Sequence, residues 1–107
     1  MSITRSTLPE GLLEDTLNEL DITWNDEATN KKFRGFIASG INYLNKKLGG
    51  ENDYTLDGDA RTLLMQYVRY ARDQALDVFE ANYQSMILSA QNDKAVTRYA
   101  ESSLQTE

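Results

Sequence analysis

The stretch Asp53-Tyr-Thr-Leu-Asp57-Gly58 has the composition of an oxygen-donor loop. Setting Gly58 at the sixth position of a calcium-binding loop puts Asp53 first and Asp57 fifth. The third position then falls on Thr55. The twelfth, where the loop needs a bidentate Glu, falls on Leu64. The segment therefore reads as a polar loop that caps a helix. Carboxylates cluster at Glu14 with Asp15, Asp26 with Glu27, and Asp57 with Asp59. Acid–base work by such a pair requires one acid in an apolar pocket that raises its pKa. These acids fall at helix starts or on polar faces, so they read as solvated. Gly49-Gly50 is not followed by the Lys-Ser/Thr of a phosphate loop. The chain has no His and no Cys, so the commonest general base, thiol nucleophiles, disulfides and zinc thiolates are ruled out. The expectation is a protein that is not an enzyme and carries no catalytic residue, cofactor or metal.

The elements around these residues follow a helical period. One domain is expected from 107 residues, of which 40% are apolar and 26% charged. A single Pro and six Gly leave too few turns for an all-β fold. Residues 1–7 lack any period and read as a loose arm. A short helix is predicted from about Pro9 to Leu20, with Leu13, Leu17 and Leu20 on one face. Thr23, with an acid three residues on at Asp26, reads as the cap of a second helix ending at Leu48. Phe33, Ile37, Ile41, Leu44 and Leu48 give that helix its apolar stripe, and Gly49-Gly50 ends it. Asp57 or Gly58 caps a third helical region, which reads either as one long helix or, the favoured alternative, as two helices with a break or bend near 73–75. From Asn92 the apolar spacing thins to Val96, Tyr99 and Leu104, too sparse to hold a helix alone. The predicted fold is all-α: a bundle of three to four helices with a helical core over 8–91. It carries an N-terminal arm and a C-terminal tail over 92–107 that orders against a partner.

Charge is unevenly placed. The total is −6, yet residues 31–50 hold five bases and no acid, Lys31, Lys32, Arg34, Lys46 and Lys47. Residues 1–30 hold seven acids against Arg5. Separate acidic and basic faces suit head-to-tail packing between copies; the plainer alternative is that the basic helix lies beside the acidic first one. Arg69 and Arg72 flank Tyr70, an interleaving that occurs in nucleic-acid sites but that also serves subunit interfaces. The acidic total weighs against a phosphate-backbone clamp. Trp24, the sole Trp, suits either an interface anchor or a core staple. No apolar run approaches a membrane span, so no membrane partner is expected.

Four segments, taken in order, resemble the head–tail connector (adaptor) proteins of tailed bacteriophages and prophages. They are Leu12-Leu-Glu-Asp15 leading to Leu20-Asp-Ile-Thr-Trp24-Asn-Asp-Glu27; Lys31-Lys-Phe33 with Ile41-Asn-Tyr-Leu44; Ala60-Arg-x-Leu-Leu64 with Tyr67-Val-Arg-Tyr-Ala-Arg72; and Ala75-Leu-Asp-x-Phe-Glu80 with Asn82-Tyr83. The final sixteen residues are not covered. The resemblance implies a non-enzymatic virion protein of the neck, assembled in the host cytoplasm. It implies a ring of about twelve copies beneath the portal, bridging it to a stopper or tail-completion protein. Double-stranded DNA would pass through the channel without specific binding. The residues expected at interfaces are Lys31, Lys32, Arg34, Arg69, Arg72 and Trp24, with Val96, Tyr99 and Leu104 of the tail. Two alternatives stand beside this reading: a small phage regulatory protein that binds nucleic acid, and another phage assembly part such as a tail-completion protein.

Overall fold

The computed structural model describes residues 3–23 and 26–105, the last eleven of these by their backbone alone. Four helices follow in order: α1 (Leu12–Glu19), α2 (Glu27–Leu48), α3 (Asp59–Arg72) and α4 (Leu76–Gln105). The all-α bundle expected from the periodicity is present, and the predicted break at 73–75 separates α3 from α4.

The starts of α1 and α2 differ from the sequence reading. Pro9 is not in the first turn of α1. Its carbonyl accepts from the Leu12 amide at 3.2 Å, and Gly11, at φ 80°, takes the cap position. That left-handed backbone favours Gly, and the turn it makes delays α1 to Leu12. The cap of α2 is Asp26 and not Thr23. Its carboxylate accepts from the Thr29 amide at 2.6 Å, which lowers the Asp26 pKa. A charged cap also meets the positive end of the helix dipole.

The first three helices stop by one device. The Gly50 amide donates to the Asn45 carbonyl at 2.8 Å, the Ile22 amide to Leu17 at 2.9 Å, and the Ala75 amide to Tyr70 at 2.8 Å. Each bond spans five residues and follows a residue with positive φ, as in a Schellman motif. Those residues are Gly49 (79°), Asp21 (57°) and Gln74 (57°). Only the first is a glycine, so only at the first does the residue type itself announce the left-handed stop.

Burial explains the arrangement. Phe33, Ile37, Ile41, Leu44 and Leu48 of α2 are buried, as their spacing predicts, against Leu63, Leu64 and Val68 of α3 and Phe79 and Ile87 of α4. Leu12 and Leu20 carry α1 onto the same core. Helices α2 and α3 approach closely at Gly40, where a Cβ would lie 2.7 Å from Leu64 Cδ1. The Phe79 ring sits among four tyrosines, with centroid distances of 5.3 Å to Tyr83, 5.6 Å to Tyr67, 6.1 Å to Tyr70 and 6.3 Å to Tyr43.

Both chain ends extend this core. The arm has no regular secondary structure, but it is seated: Asn42 holds Ile3 by two hydrogen bonds of 2.8 Å. At the other end α4 runs without a break past Asn92 to Gln105, where the spacing had predicted the helix to fade. No Pro or Gly lies within α4, so once the core has nucleated it no strong helix breaker interrupts it. The molecule measures 54 × 29 × 21 Å.

Candidate functional site

The sequence reading singled out the cations of α2, three in its first turns and two in its last. Lys31, Lys32, Arg34, Lys46 and Lys47 are all exposed. Among the described residues, none of the five forms an ion pair. The pairs are Arg61–Asp15 at 3.3 Å, Arg61–Asp57 at 3.9 Å and Arg72–Asp73 at 3.4 Å. Helix α1 does rest on α2, but its Asp15 turns to Arg61 of α3. Arg61 also donates to the Tyr54 carbonyl at 3.2 Å, so one guanidinium ties α1, α3 and the loop between α2 and α3. The acidic first helix therefore does not neutralise the basic second one by ion pairing. Two of the cations lie over rings instead, Lys32 Nζ 5.9 Å from the Phe36 centroid and Lys47 Nζ 5.6 Å from that of Tyr43.

The expected interface residues divide into three places. Lys32 and Arg72 meet at the rim of one groove of about 380 Å³, whose apolar lining is Leu20, Ile22 and Phe33. Arg69 lies elsewhere, in a cleft of about 220 Å³ with Glu19 and Asp57. Arg34 lines a third, with Arg5, Glu10 and Glu14. Trp24 lies outside the described residues, as do the side chains of Val96, Tyr99 and Leu104.

Tyr70 does not stand between Arg69 and Arg72 as an open stacking platform. It is half-buried against Phe79 and Tyr83, and its hydroxyl accepts from Asn82 at 3.3 Å. The Asp53 segment is the polar loop expected of it. The Asp53 carboxylate accepts from the Thr55 hydroxyl and, at 2.9 Å, from the Thr55 amide, which together hold its pKa below the usual range. Among the described residues no cluster of three or more acids is arranged to hold a metal ion, and no helix is long and apolar enough to cross a membrane.

Several polar ties were not anticipated. The Tyr43 hydroxyl donates to Glu80 at 2.7 Å, bridging α2 and α4; burial, and then this bond, push its pKa up. Gln91 donates to the Lys47 carbonyl at 2.6 Å, and Lys94 donates to the Glu51 carbonyl at 2.8 Å. The first places a donor from α4 in the last turn of α2, where helix carbonyls lack partners, and the second reaches the loop that follows it. Sequence carries no period that would pair residues 43 positions apart. The one available signal is the continued helical spacing to Ala90, which carries Gln91 and Lys94 onto the same flank. No protein-family model, no curated protein and no solved structure matches this chain.

Proposed function

We propose that this chain is the subunit of a head–tail connector ring, docked beneath a phage portal and joined to its neighbours through the exposed cations of α2. One observation carries the reading. Five cations of α2 stand exposed without ion pairs among the described residues, on a chain whose net charge is −6. Such cations are complementary to acidic surface of a second copy, and repeated contacts around a ring add avidity. Most of the segments that resemble the connector family fall on the four helices, and α4, at 30 residues, spans about 45 Å, enough to act as a spacer between partners. The acidic remainder suits a wall past which DNA slides, since like charge keeps phosphates from binding.

Sedimentation of the chain alone and with portal rings of the same genome tests this. The expected result is a small species alone and about one copy per portal subunit in the mixture. Charge reversal at the start of α2 (Lys31→Glu with Lys32→Glu) should abolish co-sedimentation without unfolding the chain. Failure to join the portal, together with duplex binding that falls steeply with salt, would instead establish the nucleic-acid-binding alternative.

A further inference from the structure

The loop between α2 and α3 holds a leucine out of the core. Leu56 is 64% exposed, the most exposed large apolar side chain among the described residues. That exposure is built into the loop. The neighbouring Tyr54 is buried, its hydroxyl donates to Asn45 at 2.7 Å, and its carbonyl accepts from Arg61 at 3.2 Å. The Asp53 carboxylate accepts from the Thr55 amide at 2.9 Å and closes the turn. Leu56 therefore stands on a braced turn, with the exposed Asp53 and Asp57 to either side. The Asp57 carboxylate is open to solvent, and its ion pair with Arg61 is long at 3.9 Å. At the far end of α3 lies a groove of opposite chemistry. Leu20, Ile22 and Phe33 line it, Lys32 and Arg72 stand at its rim with one acid, Asp21, and its volume of about 380 Å³ has room for a leucine side chain. Among the described residues Lys32 forms no ion pair, and Arg72 forms only an exposed one with Asp73 at 3.4 Å.

We propose that the Leu56–Asp57 turn of one subunit plugs this groove on the next. Leu56 enters between Leu20, Ile22 and Phe33, and Asp57 meets Lys32 and Arg72. Charge complementarity selects this occupant: an apolar groove under two cations suits an apolar side chain with an acid beside it, and the turn supplies that pair already braced. The turn cannot serve the groove of its own chain. It leads into the start of α3 while Arg72 ends that helix, and its 14 residues hold the two about 20 Å apart. Plug and groove are thus different patches of one surface, so the contact is heterologous and repeats head to tail until the rotation closes a ring. The plug rests on the ring reading above and names the contact that the cation Lys32 would make there.

Sedimentation equilibrium of the chain at millimolar concentration, without portal rings, tests the plug. A single contact of this size is weak, so association is expected there and not at micromolar concentration. Leu56→Ala, at an exposed site that the fold tolerates, should weaken association about tenfold. A charge swap makes the decisive comparison. Asp57→Lys sets like charges against Lys32 and Arg72, and Lys32→Glu with Arg72→Glu sets like charges against Asp57, so each variant alone should stay monomeric. In a mixture of the two, every plug faces a groove of opposite sign, and association should return. Both variants remain net negative, since the chain starts at −6, so general attraction does not explain such a return. Adding Leu56→Ala to both should remove it again. A wild-type chain that stays monomeric, a mixture that fails to associate, or association that survives every substitution overturns the plug, the last by placing the contact on another surface. Portal rings then separate the two claims. A mixture that associates but does not co-sediment with portal rings sinks the connector reading and leaves the plug standing. Co-sedimentation of the wild type without the swap result sinks the plug alone.

Discussion

Helices α3 and α4 are both amphipathic, yet they hold the molecule differently. Six of the fourteen residues of α3 are buried: Leu63, Leu64, Met65, Tyr67, Val68 and Ala71. Over Leu76 to Lys94, α4 buries only Phe79 and Ile87, and it leaves Val78 43% and Leu88 54% exposed. The short helix is bound to the core along its whole length. The long one is fully buried at two of these residues and otherwise rests on the core through half-buried Leu76, Tyr83, Met86 and Ala90. Helix length and contribution to stability are thus separate quantities, and burial per turn decides the second.

Two substitutions on α4 test that contrast most strongly. Phe79→Ala removes a fully buried ring that touches four tyrosines and should cost ~3–5 kcal/mol. Leu88→Ala, nine residues on, should change stability by less than ~0.5 kcal/mol. Urea unfolding of both variants decides it. Similar losses would mean that α4 is held along its length after all. The same logic separates two glycines of α2. Gly40→Ala drives a Cβ into Leu64 and Tyr67, an overpacking that should cost ~1–3 kcal/mol. Gly35→Ala meets only the movable Arg5 side chain and should stabilise the helix by ~0.5–1 kcal/mol. Equal effects would show that the close approach of α2 and α3 is not real.

Tyr54 gives a smaller effect with a sign fixed by linkage. Burial pushes its pKa up to about 12, and its hydroxyl donates to Asn45 at 2.7 Å. A phenol ionises near 10 when unfolded, so the neutral buried form stabilises the fold fully below pH ~10. That contribution is lost as pH rises from there through about 12. Tyr54→Phe should cost ~1 kcal/mol at neutral pH through the lost hydrogen bond and should flatten the fall above pH ~10. Unfolding midpoints measured across pH 7–12 would sink this account if the alkaline slope were unchanged.

How much of this was legible varied with the range of the signal. The stripe from Phe33 to Leu48 gave α2 and its buried face, because a period of 3.6 residues is local information. The end at Gly49 was equally plain, since glycine alone adopts a left-handed backbone at no cost. The start of α1 was misread because Pro9 fits a helix start by chemistry, while Gly11 three residues before Glu14 decided the geometry. The arm's seat was invisible, because it pairs Ile3 with Asn42 across 39 positions and no spacing rule reaches that far. For the candidate surface, the exposure of Lys31, Lys32 and Arg34 followed from their places off the apolar stripe. That α1 spends Asp15 on Arg61, leaving those cations unpaired among the described residues, depended on how the helices pack.

The smallest effect concerns how α3 gives way to α4. Gln74 holds φ 57° so that Ala75 can donate to Tyr70, and an L-residue in that conformation is strained by ~1 kcal/mol relative to glycine. Gln74→Gly should therefore relieve strain in the folded state while adding freedom to the unfolded chain. The first term exceeds the second only modestly, and the net gain should be ~0.5 kcal/mol. The reverse change at the matching stop, Gly49→Ala, should cost ~1 kcal/mol, because alanine must adopt φ 79° there. Opposite signs for these two variants, read as shifts in urea midpoint at constant slope, would show that one hydrogen-bonded stop operates at both corners. A loss of stability in both would mean that the Gln74 side chain itself holds the α3–α4 corner, and that the left-handed backbone is not where the strain lies.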